Sequence, residues 1–119
     1  MASIVFVLTH STDEPDRAAT ALSTALDAAR AGNDVALWLT GEGVRLGVAG
    51  VAETLREPTE ATAAEMIDAL VESGATLYCH RGSFERRKFD EEALRAGARL
   101  AAGDVLAKLV SDGAHSITL

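Results

Sequence analysis

The chain has 119 residues, with 18 acidic residues against 11 basic and a net charge of −7. This length suits a single domain, here spanning 1–119, with a core large enough to need no covalent staple. The acidic balance argues against a nucleic-acid surface and against attachment to anionic membranes.

Ser3 to Thr9 is an unbroken apolar, β-branched run, the pattern of a strand buried on both faces. It follows no basic leader and is too short to span a bilayer, so neither a signal peptide nor a membrane anchor is expected. His10 to Pro15 is a polar connection, and Pro15 suits a first helical turn. From Asp16 to Ala31 the spacing of Ala18, Leu22, Ala25, Leu26 and Ala29 predicts a helix, with Gly32 as its stop. Asp34 to Leu39 reads as a second buried strand.

Thr40 to Gly50 is glycine-rich, and Gly41, Gly43 and Gly47 faintly echo a dinucleotide fingerprint. The spacing is irregular, Glu42 sits inside the loop, and the strand before it is the second rather than the first. A turn lining a pocket is the better reading, and no cofactor is expected. Thr62 and Glu65 have capping-box spacing, and Met66, Ile67, Leu70 and Val71 form an apolar stripe that ends before Gly74. A third strand then runs from Ala75 to Cys79. Asp90 to Gly97 reads as a short helix with acids in its first turn. Ala98 to Ala102 is a weak strand. Asp104 opens a last helix with Val105, Leu106, Leu109 and Val110 inward, and Ser116 to Leu119 is a final strand. Strands alternating with helices predict a three-layer α/β/α sandwich on a mainly parallel sheet.

Cys79 is the only cysteine, so no internal disulfide can form and a reducing, cytoplasmic setting is expected. It closes the third strand, and Arg81, Arg86, Arg87 and Lys88 follow within nine positions. A thiol at a strand's carboxyl end faces the crevice where open α/β sheets place ligands, and nearby cations or a helix N-terminus lower its pKa. A lone cysteine equally packs as a small hydrophobe, and the basic run equally forms the solvated face of a short helix. One cysteine and three histidines offer no metal-ligand spacing, and Ser83 with His80 lacks a nucleophile elbow.

Taken together, the first strand with its polar loop, the second strand running into Leu39-Thr40-Gly41-Glu42-Gly43-Val44, and the third ending in Tyr78-Cys79 before a basic segment resemble the DsrE/DsrF/TusD-like sulfur-relay family. The resemblance covers nearly the whole chain. It implies a five-stranded DsrEFH-like fold and assembly as a homo-oligomer, a trimer or hexamer. It also implies a sulfurtransferase-like role in which Cys79 accepts sulfane sulfur as a persulfide and passes it to a partner protein. His80, Arg81 and His10 are then the expected supporting residues, and Thr40, Gly41 and Gly43 the expected pocket lining. The alternatives are a non-catalytic oligomeric scaffold with Cys79 buried, and a module binding a small anion through Arg81 and the Gly41–Gly43 turn.

Overall fold

The computed structural model describes residues 2–55 and 61–119. Five strands form one sheet: β1 (Ser3–Leu8), β2 (Asp34–Leu39), β3 (Thr76–His80), β4 (Ala98–Ala101) and β5 (His115–Thr118). Their order is β4-β3-β2-β1-β5, and all four pairings are parallel, so the sheet is wholly rather than mainly parallel. The helices are α1 (Pro15–Arg30), α2 (Ala63–Glu72), α3 (Arg81–Arg86) and α4 (Gly103–Ser111).

The first three crossovers step from β1 towards β4, and the fourth returns across the sheet to the far side of β1. Parallel crossovers are right-handed, so reversing direction puts α4 on the opposite face from α1 and α2. The core divides accordingly. Phe6, Leu8, Leu37, Leu39, Leu77 and Cys79 share the larger core with Leu22 of α1 and Ile67 and Leu70 of α2. Val5, Trp38 and Ala101 form the smaller core on the other face, against Val105, Leu106 and Leu109 of α4. This is the expected three-layer sandwich, with unequal outer layers.

Local signals explain most boundaries. Pro15 opens α1, where its missing N–H is an orphan in any case, and Gly32 follows the helix at φ +92°. Thr62 Oγ1 accepts from the Glu65 N–H while the Glu65 carboxylate accepts from the Thr62 N–H, a complete capping box.

Four expectations need correction. The Gly41–Gly47 stretch is a seven-residue 3-10 helix rather than an open turn. Asp90 to Gly97 forms only a 3-10 turn at Glu91–Ala93. Leu94 then bridges Val48 in antiparallel fashion, and that pairing takes the backbone that a longer helix would use. The last helix begins at Gly103, one residue before Asp104, behind Ala102 and with no side-chain cap. Val110 points outward and is 42% exposed, because one helix spanning a broad sheet can bury only one stripe.

Candidate functional site

Parallel pairing brings the carboxyl ends of all strands to one edge, where Leu8 and Leu39 end β1 and β2 and the aligned Cys79 is the last residue but one of β3. Cys79 is aligned with Leu39 on one side and Leu100 on the other. Its side chain belongs to the α1/α2 face and is fully buried. The Gly41–Gly47 helix lies over it so closely that a Cβ on Gly47 would overlap the Cys79 Sγ. Gly43 makes an equally tight approach to the Leu8 carbonyl, seating the same helix on the end of β1. These two glycines are needed for contact rather than for phosphate approach.

His80 follows Cys79 in the strand, and strand side chains alternate between faces. It therefore sits with Tyr78 on the α4 side, its ring 6.1 Å from that of Trp38. It does not face the thiol. Its Nδ1 is 2.8 Å from Ser83 Oγ and 3.4 Å from Thr40 Oγ1. Ser83 Oγ also accepts from the Gly41 N–H at 3.0 Å. Ser83 is 4% exposed and ties the start of α3 to the end of β2. Thr40, Gly41 and His80 thus converge around a serine hydroxyl rather than around the thiol. Among the described residues, His80 has no carboxylate partner, so Ser83 and His80 lack the third member of a catalytic triad.

Two of the four cations that follow Cys79 are engaged elsewhere. Arg81 reaches Glu91 at 3.4 Å. Arg87 Nε donates to Glu42 Oε2 at 2.7 Å, and Arg45 Nε donates to Glu42 Oε1 at 2.8 Å. Arg45 also lies over the Phe89 ring, 5.4 Å from its centroid. Both arginines hold the Glu42 carboxyl below its usual range, Arg87 more than Arg45. Burial pushes the Cys79 thiol the other way, from 9.0 up to about 12. The expectation of a cation-lowered thiol pKa is overturned: the thiol is held protonated by an apolar surround.

His10 is also apart from the thiol. Its Nδ1 pairs with Asp13 Oδ2 at 2.8 Å, and its Nε2 lies 3.4 Å from Arg17. A shallow hollow opens beyond α3, lined by His80, Gly82, Glu85, Arg86 and Lys88. Among the described residues, no three His, Cys, Asp or Glu side chains gather to hold a metal ion. Nor is any helix there long and apolar enough to cross a membrane.

Sequence reasoning missed Glu42 as a partner of Arg87 and Ser83 as a structural hub. Both pairings join residues more than 40 positions apart. The only local signal was the placement of Ser83 and Arg87 one helical turn apart, where Arg87 Nη1 donates to the Ser83 carbonyl.

The DsrE/DsrF-like family pattern matches residues 2–119. The chain belongs to that family. Solved structures place this DsrE/DsrF-like chain in the same fold. The ychN protein of E. coli aligns over 100% of both chains at 18% identity and a TM-score of 0.84. MTH1491 of Methanobacterium thermoautotrophicum also aligns over 100% of both, at 12% identity and a TM-score of 0.80. BT1422 of Bacteroides thetaiotaomicron covers 98% of this chain and 94% of its own, at 14% identity and a TM-score of 0.65. At these identities the likeness is one of fold. No curated protein matches the DsrE/DsrF-like chain.

Proposed function

We propose that the protein is a cytoplasmic sulfur carrier of the relay type, with Cys79 as its sulfur acceptor. The observation that carries this reading is the position of Cys79, the chain's one thiol, one residue before the carboxyl end of β3 in a DsrE/DsrF-like chain. In the reaction, the Cys79 thiolate attacks the outer sulfur of a donor persulfide. The donor's S–S bond breaks, the donor leaves as a thiolate, and Cys79 becomes a persulfide. A thiol of an acceptor protein reverses the exchange. One cysteine suffices, because the second sulfur of each exchange belongs to another protein.

The raised thiol pKa sets a condition. At neutral pH a thiol with a pKa near 12 is ionised in only about one molecule in 10⁵. Loading therefore needs the Gly41–Gly47 helix to move, or a partner to move it. The test is intact-protein mass after incubation with a low-molecular-weight persulfide, followed by reductant. Wild type gains one sulfur reversibly and Cys79→Ser gains none. Wild type that stays unloaded, while a known carrier loads in the same tube, refutes the reading.

A specific observation favours a second reading, that of a non-catalytic oligomeric module: the thiol is buried and bears no activating partner. Both readings share the proposal of a homo-oligomer, a trimer or hexamer. Its support is the thin outer layer. All four residues of edge strand β5 are exposed, α4 has no fully buried residue, and Val110 and Ile117 present apolar surface.

A further inference from the structure

The Gly41–Gly47 helix has features of a moving part built on a rigid frame. Its underside carries Val44 and Leu46, both fully buried, and Gly47 against the thiol. It is fastened at three points. The Gly41 N–H donates to Ser83 Oγ at its start. Past its end, Val48 bridges Leu94, and the Arg95 N–H donates to the Gly47 carbonyl at 2.8 Å. Between these, Glu42 is gripped by Arg45 from its own helix and by Arg87 from the end of α3. The fastenings at the start and past the end use buried or backbone groups. The Glu42 clasp is made of side chains in contact with solvent, with Glu42 35% exposed and Arg87 24%. It is the fastening that an incoming protein surface can reach and compete for.

We propose that Gly41–Gly47 is a cap over Cys79, and that Glu42, clasped between Arg45 and Arg87, is the positioning residue that sets how often the cap opens. A protein surface that competes for Glu42 or Arg87 on docking would unclasp it, exposing the thiol more often within the complex than in the free chain. Arg87, one of the four cations that follow Cys79 in sequence, thus keeps the thiol covered rather than activating it. The biological meaning of the cap rests on the reading of Cys79 as the sulfur acceptor, whereas its existence is tested without sulfur.

The experiment is the rate of Cys79 alkylation by iodoacetamide, an uncharged probe, in the native full chain at pH 8. Only the Glu42–Arg87 pair joins the cap to the rest of the protein, since Arg45 moves with Glu42, and a partly exposed ion pair shifts a closing equilibrium by up to about fivefold. Glu42→Gln and Arg87→Gln each remove that pair, and both variants are expected to react about two- to fivefold faster than wild type. Urea separates the cap from global unfolding: the wild-type alkylation rate should rise with urea less steeply than the unfolding equilibrium, because local opening exposes less surface. Three results overturn the proposal: both variants staying within twofold of wild type, Arg87→Gln reacting more slowly, or alkylation tracking global unfolding throughout. Slower reaction of Arg87→Gln would assign the cation to the thiolate after all. A chain that alkylates as proposed but never loads sulfur keeps its cap and loses the carrier role.

Discussion

Replacing Gly47 by alanine probes the contact that defines the buried thiol. The added Cβ would overlap Cys79 Sγ, while its next neighbours, Leu39 Cδ1 at 3.5 Å and Cys79 Cβ at 3.9 Å, are at ordinary distances. The clash therefore has one source. Gly47 does not have a positive φ, so alanine adds no backbone strain there. Overpacking a filled core costs about 1–3 kcal/mol, against which the lost chain freedom of glycine returns about 0.5–1 kcal/mol. Gly47→Ala should then destabilise by about 1–2 kcal/mol. Cys79→Ala should cost a similar amount, about 1–2 kcal/mol, by emptying the space of one sulfur. In the double variant the new methyl enters the space that the sulfur leaves. Its cost should fall below the sum of the single costs by about 1–3 kcal/mol, the range seen for residues in contact. Urea unfolding of the four proteins, at one fixed chain concentration, measures the cycle. Additivity within about 0.5 kcal/mol would refute the packing of Gly47 on the thiol, and with it the cap.

The raised thiol pKa makes a pH prediction. The folded thiol keeps its proton to about 12 while the unfolded chain releases it near 9.0. Its contribution is therefore complete below pH 9 and lost as pH rises towards 12, by about 1.4 kcal/mol per pH unit. Cys79→Ala should flatten the fall of stability between pH 9 and pH 10 by about 1 kcal/mol relative to wild type, since the unfolded thiol is only half ionised at pH 9, and identical slopes would contradict it. Assembly is checked by sedimentation equilibrium at micromolar concentration, where wild type should exceed the mass of one chain. Ile117→Lys, which places a charge on an apolar residue 39% exposed at the sheet edge, should shift it towards monomer; a wild type found only as monomer excludes the oligomer.

The fold was legible because its signals are local. Val5 to Leu8 and Val35 to Leu39 are runs that only a doubly covered strand tolerates, and Pro15, Gly32 and the Thr62–Glu65 box mark helix ends within a turn of their effect. The position of Cys79 at a strand end was legible for the same reason. Its environment was not. Whether a strand-end thiol meets water or a cap depends on which distant segment lies over it, and here that segment lies 32 positions earlier, at Gly47. Charge counts near Cys79 were misleading because Arg87 spends its charge on Glu42, and because strand alternation turns His80 to the other face. The short helix expected at Asp90–Gly97 failed through a bridge from Val48, again a partner far along the chain.

The strand order has a consequence for how the protein is made. β1 leaves the ribosome before β2, which follows on one side of it. Its other side is filled only by β5, whose Thr118 is aligned with Val7, and Leu119 there donates its N–H to the Val7 carbonyl at 2.9 Å. Throughout synthesis of the intervening chain, the backbone of β1 keeps an open hydrogen-bonding edge in the middle of what will become the sheet. Such edges recruit strands from other nascent chains. A pairing with so long a closing loop is also slow to form. The nascent chain is thus most exposed to mispairing just before α4 carries β5 back across the sheet.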